Sequence, residues 1–173
     1  MAKTTFAGPV YSKSGFITTG PANTVSLTAD TTLTVATHAG KILLTNDADG
    51  KFTLPTINVT ADSGVAGPGP ALDNLNNIGA SFYFYVATAA TDMDILTDGT
   101  DMFVGSINIG VTNGDFKTFF PGGTDDVITM TGAEEGGIAG SVVQITALAD
   151  DKYLVHNSLL KGSGTIATPF ATA

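Results

Sequence analysis

The chain has 173 residues and a formal net charge of −9, and its length suits one domain that can bury a core without covalent cross-links. It contains no cysteine, which excludes disulfides, thiolate nucleophiles and cysteine-bound zinc. The acidic balance predicts repulsion from nucleic acids and anionic lipid headgroups, because both are negatively charged. Residues 1–20 lack the apolar core of a secretory signal, and no run approaches the ~20 apolar residues of a membrane helix. We therefore expect neither a nucleic-acid nor a membrane partner.

The amino-terminal part, residues 1–21, combines aromatic side chains with residues that interrupt a strand. Phe6, Tyr11 and Phe16 make it too apolar for a disordered tail, while Pro9 and several glycines break any regular strand. We predict an extended arm here, whose three aromatic side chains contact a partner.

Residues 22–161 follow the pattern of one β domain. Apolar residues alternate over short runs that end at Gly, Asp, Asn or Pro. Many short strands at this spacing predict an all-β fold, either a compact antiparallel sandwich or a barrel-like domain, with at most one short helix. The predicted strands are 24–27, 32–36, 41–44, 51–54, 81–87, 94–96, 102–109, 116–120, 126–130, 141–148 and 152–159.

Two turns in this domain predict β-hairpins. Asp49-Gly50 separates the third and fourth predicted strands, and glycine accepts positive φ at little cost. Residues 149–151 separate the last two predicted strands in the same way. The β pattern breaks over residues 61–79, where we predict a long loop with at most one or two helical turns.

The fifth predicted strand carries four alternating aromatic residues. Alternation places Phe82 and Phe84 on one face, which we predict to be core, and Tyr83 and Tyr85 on the other. If they are exposed, these two tyrosines or Tyr153 could stack on sugars, because tyrosine is both aromatic and polar.

Asp92, Asp94, Asp98 and Asp101 fall close together in the sequence. Such hard oxygen ligands suit Ca²⁺, but their spacing fits no twelve-residue calcium loop and no bidentate glutamate follows. We interpret them as solvated turn carboxylates and expect no metal site, although the sequence leaves calcium binding at residues 92–101 open.

The sequence singles out no catalytic group. His38 and His156 are far apart, and neither has an adjacent partner of the kind that acid–base catalysis needs. In the last predicted strand, alternation places His156 and Ser158 on one face, with Tyr153 and Asn157 on the other. The glycine-rich stretches precede strand patterns instead of helices, so they predict turns and not phosphate-binding loops. We expect a non-enzymatic protein without catalytic residues, cofactor or metal.

A cluster of phenylalanines precedes a predicted turn at Pro121. Phe116, Phe119 and Phe120 form a group too dense for a loop that faces only water. We predict that Phe119 and Phe120 contact a partner, with a homotrimer as the expected assembly. The alternative is that these rings fill the core of their own subunit.

Residues 162–173 predict a second extended arm. Gly162, Ser163 and Gly164 loosen the backbone, and the proline that follows cannot donate to a central sheet. The apolar side chains beyond this hinge are expected to lie on another chain. They are Ile166, Pro169 and Phe170.

The glycine and apolar spacings of GGIAGSVVQITALADDKYLVHNSLLKGSGTIATPF resemble a known family when taken with the upstream SFYFYVATA, DMFVGSI and TTFAGPVYSKSGF. The chain is similar to virion structural proteins of tailed bacteriophages, particularly marine phages and cyanophages, which act as head decoration or cement proteins. The resemblance covers most of the chain except residues 56–79.

The resemblance implies a function in assembly. We expect a non-enzymatic capsid decoration or cement protein that binds the outer surface of the phage capsid, bridges major capsid protein subunits and is assembled in the host cytoplasm. The alternative is a glycan-binding head-fibre or host-adhesion module.

Overall fold

The computed structural model describes residues 23–59, 76–112 and 114–173. The predicted arm 1–21, with Phe6, Tyr11 and Phe16, lies outside these residues, as does most of the loop predicted over 61–79. The described residues contain one helix, α1 (Val35–His38), and twelve strands. The strands are β1 (Thr24–Leu27), β2 (Thr31–Thr32), β3 (Ile42–Thr45), β4 (Lys51–Thr53), β5 (Ser81–Val86), β6 (Met93–Leu96), β7 (Met102–Val111), β8 (Phe116–Phe119), β9 (Val127–Met130), β10 (Val142–Ala149), β11 (Lys152–Gly162) and β12 (Phe170–Ala171).

These strands form the two sheets of a sandwich, which confirms the predicted all-β class with one short helix. One sheet has the order β1-β3-β5-β10-β11-β7-β8, and the other has the order β12-β9-β6-β4-β2. Both sheets are mixed, whereas an antiparallel arrangement was predicted. From β1 to β7, consecutive strands lie in the two sheets alternately. Each strand in one sheet is followed by a strand in the other, so the next strand in the first sheet runs in the same direction as before. The strands β1, β3 and β5 therefore run parallel.

This alternation overturns one of the two predicted hairpins. The turn at Asp49-Gly50 joins β3 in the seven-stranded sheet to β4 in the five-stranded sheet, so the two strands do not pair. The turn at residues 149–151 does close the hairpin between β10 and β11. Asp151 has a φ of 56°, which a short polar side chain tolerates better than a bulky one.

The region predicted as strand 32–36 forms β2 and then turns into the helix α1. Thr34 is the N-cap, and its hydroxyl accepts a hydrogen bond from the backbone N–H of Thr37 at 3.3 Å. The ring of His38 closes the same turn, because the N–H of Thr34 lies 2.9 Å from its Nδ1. The N-cap at Thr34 therefore stabilises a helical turn here, although the flanking residues favour strands.

The core lies between the two sheets and draws on both. Phe82 and Phe84 of β5 are fully buried, as predicted by alternation, and they face Phe52 and Ile95 of the other sheet. The rings of Phe52 and Phe84 lie 6.4 Å apart between centroids. At this distance aromatic rings attract one another beyond simple area burial, so the pair ties the sheets together.

A β-bulge in β11 changes which residues face the core. The register between β11 and its neighbour β7 shifts between Val155 and Ser158. Tyr153 and Ser158 are buried as a result, while Asn157 is exposed. Simple alternation had placed Tyr153 with Asn157, so the extra residue of the bulge accounts for the difference.

The carboxyl-terminal segment is part of this sandwich. Sequence analysis placed Ile166, Pro169 and Phe170 on another chain, but all three are buried within their own subunit. The strand β12 pairs with β9, where the carbonyl of Pro169 accepts from the N–H of Thr129 at 2.8 Å. Pro169 contributes its carbonyl there, so its missing N–H costs nothing. The β domain thus extends to residue 173 and does not end at 161.

Candidate functional site

The solvent side of the seven-stranded sheet, here called the outer face, is the most distinctive surface of the described residues. Along β3, β5 and β10 its side chains alternate with the core residues. One row crosses the whole sheet through directly paired residues: Ser26, Leu44, Tyr85, Val142, Leu159, Asn108 and Thr118. A second row contains Thr24, Ile42, Tyr83 and Gln144.

The middle of the outer face is apolar. We call it the central face, and it consists of Ile42, Leu44, Tyr83, Tyr85, Val142 and Leu159. Leu44 and Val142 are half-buried, and the other four are exposed. Tyr83 and Tyr85 lie on the face opposite the buried Phe82 and Phe84, as alternation predicted, and both are exposed. Ile42 and Leu159 were missed, because each lies in a run that is apolar on both faces, where alternation carries no signal.

A second apolar feature, the phenylalanine edge, consists of Phe116 and Phe120. Phe116 begins β8, the edge strand of the sheet, and is 60% exposed. Phe120 follows β8 directly and is 73% exposed. Phe119, between them, is only half-buried and packs against the core. The two predicted contact residues therefore differ: Phe120 is exposed and can contact a partner, whereas Phe119 packs mainly against the core of its own subunit.

A groove of about 400 Å³ lies beside the phenylalanine edge. It is lined by Phe116 and Lys117 of β8 and by the segment 164–166. The ammonium of Lys117 donates to the carbonyl of Ile166 at 3.2 Å, which fixes one wall of the groove. An apolar side chain from a partner could enter here next to the exposed ring of Phe116.

The strands of the outer face carry no carboxylate, although the chain as a whole is strongly acidic. The seven strands of its sheet contain no Asp or Glu, and their charged residues are Lys117, Lys152 and Lys161. The ammonium of Lys161 is held by the carbonyl of Ala139 at 2.9 Å. The carboxylates of the described residues therefore lie in loops and on the other sheet, and the face is free of their repulsion.

Hydrogen bonds between side chains order the polar part of the outer face. The Nε2 of His156 lies 2.8 Å from the hydroxyl of Thr146, which in turn lies 2.7 Å from the hydroxyl of Ser81. Farther along, Asn108 bonds to Asn157 and accepts from Thr118. His156 is half-buried and has a structural partner here.

Asp98 and Asp101, two of the acidic residues between 92 and 101, differ in their surroundings. Within the described residues, no group of three or more His, Cys, Asp or Glu side chains lies close enough to hold an ion. Burial raises the pKa of Asp98, but hydrogen bonds from Thr56, Thr100 and Asp101 outweigh it and lower that pKa to about 2. Asp98 is a turn carboxylate, as predicted.

Asp101 differs from the prediction, because it is buried and not solvated. Its carboxylate accepts from the backbone N–H of Ile57 at 2.9 Å, and burial raises its pKa. Tyr153 is buried close by and donates its hydroxyl to the carbonyl of Pro55. Burial also raises the pKa of Tyr153. Tyr153 therefore holds the chain after β4 and cannot stack on a sugar.

Comparisons with protein-family models, with curated proteins and with solved structures found no match for this chain. Among the described residues, no helix has the length and apolar character needed to cross a membrane. The candidate site therefore rests on its geometry alone: a sheet face that has an apolar centre and no carboxylate in its strands, bordered by the phenylalanine edge.

Proposed function

We propose that the chain is a non-enzymatic virion structural protein that binds the outer surface of a tailed-phage capsid. In this role it acts as a decoration or cement protein, assembled onto the particle in the host cytoplasm, and it bridges neighbouring major capsid protein subunits. The sequence resemblance supplies the phage context. The observation that supports binding most directly is the phenylalanine edge, because Phe116 and Phe120 are the two most exposed large apolar side chains among the described residues.

The position of the phenylalanine edge suits attachment to an extended segment of another protein. An edge strand has backbone N–H and C=O groups on its outer side, and a partner strand can pair with them. Phe116 and Phe120 would cover such a segment, and a partner side chain would fill the groove beside Lys117. Burying a largely exposed phenylalanine contributes about 1–2 kcal/mol, a little less than full burial of that side chain. Symmetry repeats this modest gain over the whole shell, which gives avidity.

The test is occupancy on purified particles of the virus that encodes the chain. Wild-type protein and the Phe116→Ser and Phe120→Ser variants are bound to particles that lack the protein, and bound copies are counted by gel densitometry. We expect each variant to lose at least about fivefold in occupancy, because ~1 kcal/mol per site is multiplied over symmetric contacts. The control is Val59→Ser, which changes an exposed apolar residue outside the sheet. Wild-type protein that is absent from particles would exclude this function, and variants with full occupancy would exclude the phenylalanine edge as the contact.

The alternative function is glycan binding in a head fibre or host-adhesion module. It is favoured by Tyr83 and Tyr85, which are exposed side by side on the central face, with the amide of Gln144 paired opposite Tyr83. Such aromatic and amide groups can stack on a sugar and bond to its hydroxyls. A glycan array with the wild type and Tyr85→Ala decides between the two. Specific glycan binding that the variant abolishes would favour this alternative.

A further inference from the structure

We propose that the central face is the contact surface between two copies of this chain, packed face to face about a twofold axis. The proposal does not depend on capsid binding. It concerns the middle of the sheet, whereas the phenylalanine edge lies at its border. Four observations support it: the continuous apolar band across the strands, the lack of carboxylates on the face, the area of the face and the symmetry of a twofold contact.

The apolar residues of the central face are continuous across strands. Leu44 is paired with Tyr85, Tyr85 with Val142, and Val142 with Leu159. Directly paired residues on one face of a sheet have Cβ atoms about 5 Å apart, so these side chains touch their neighbours. They form one apolar band across four adjacent strands, with no polar residue between them.

The charge distribution favours this face over the other surfaces for contact between two copies. Two copies, each with a formal charge of −9, repel one another in most orientations. The strands of the seven-stranded sheet carry no carboxylate, so contact through this face brings no carboxylates together within the interface. Charged residues are also depleted from the centres of known interfaces, as they are here.

The available area is sufficient for such a contact. The contact is centred on the central face and extends over the outer face around it. The six strands β1, β3, β5, β10, β11 and β7, spaced about 4.8 Å apart, span roughly 29 Å, and an average of five of their four to eleven residues covers about 17 Å. This part of the outer face has a projected area of roughly 500 Å² on each copy, or about 1,000 Å² for the pair, which reaches the lower limit for a specific interface. Two sheets pack well in this way at about 10 Å when their strands are nearly aligned.

Symmetry favours two copies over three. In a twofold dimer the carboxylate-free face meets the same carboxylate-free face of its partner. In a ring of three, each face would meet a different surface of the next copy. The other surfaces of the described residues carry the carboxylates, whose burial without partners is unfavourable. The homotrimer expected from the sequence differs from this dimer in mass, so a measurement of the oligomeric state distinguishes the two.

The experiment is native mass spectrometry and sedimentation equilibrium on the full chain. We expect a dimer at about 50 µM wild-type protein. The variants Tyr85→Lys and Leu159→Lys each introduce two like charges across the axis, so we expect the dissociation constant to rise about 100-fold, roughly tenfold for each copy of the change. The matched control is Phe120→Lys, the same change at an exposed aromatic residue outside the central face, which should leave the dimer intact. Circular dichroism establishes that each variant is folded.

A wild-type monomer at 100 µM or a trimer would overturn the proposal, as would folded Tyr85→Lys and Leu159→Lys variants that both remain dimeric. If one of the two lysine variants does not fold, the other decides. The same proteins separate this proposal from the proposed function. A dimer that does not bind particles counts only against capsid binding, whereas a monomer that binds particles counts only against the dimer.

Discussion

Phe170→Ala tests whether the carboxyl-terminal segment belongs to its own subunit. Phe170 is 5% exposed, lies in the core cluster and pairs with Ile128 of β9. Replacing a buried phenylalanine by alanine costs about 3–5 kcal/mol, and we expect the lower end because β12 is an edge strand of only two residues. A loss of ~3 kcal/mol lowers the melting temperature of a chain of this length by about 6–12 °C.

Urea unfolding followed by circular dichroism measures the effect, with Phe120→Ala as the control. Phe120 is the same residue type but is 73% exposed, so its truncation should change the free energy of unfolding by less than about 0.5 kcal/mol. The midpoint should fall for Phe170→Ala with an unchanged denaturant slope. An unchanged midpoint for Phe170→Ala, combined with lost binding to a partner, would show that Phe170 contacts another chain, and it would refute the placement of β12.

Three further variants test other features of the fold. Gly105→Ala should lower the free energy of unfolding in urea by at least about 3 kcal/mol, because the added Cβ would lie 2.1 Å from the carbonyl oxygen of Val155. The control is Gly114→Ala, which is also at positive φ but has open space around it and should cost only about 1 kcal/mol. Equal losses for the two variants would contradict the steric cause. Tyr153→Phe should cost about 1–2 kcal/mol because it leaves the carbonyl of Pro55 unpaired, and a neutral result in thermal unfolding would argue against that bond. The lowered pKa of Asp98, from 3.8 to about 2, means that its ionised form stabilises the fold above about pH 4 and that this contribution is lost as the pH falls towards 2. Asp98→Ala should therefore lower the free energy of unfolding by about 1 kcal/mol at pH 6, a value reduced for solvent exposure, and by almost nothing at pH 2. The same loss at both pH values would show that ionisation of Asp98 is not the cause.

Strand positions could be predicted from the sequence because alternation is a local property. The bounds of β1 agree with the prediction, and those of β5 and β9 differ by one residue at one end. The partners of the strands could not be predicted in the same way. The turn at Asp49-Gly50 looks the same whether the next strand pairs with the previous one or crosses to the opposite sheet.

The candidate site was only partly predictable for a related reason. The alternation that exposes Tyr83 and Tyr85 is visible in the sequence, but the band from Leu44 to Leu159 exists only through the register of four strands. The tail with Phe170 was ambiguous, since an apolar segment after a flexible hinge gains the same burial energy on its own domain as on a neighbour. The folded structure determines where the tail lies: β9 pairs with β6 along one edge, and β12 pairs with its other edge.

The alternation of strands between the two sheets also has a mechanical consequence. From β1 to β7 every link between consecutive strands passes from one sheet to the other. A force that pulls the sheets apart therefore loads covalent backbone at each link, whereas a sandwich built from hairpins would resist mainly through side-chain packing. Tension applied to one sheet is passed to the other through peptide bonds. The domain should stretch as one unit and should not split between its layers.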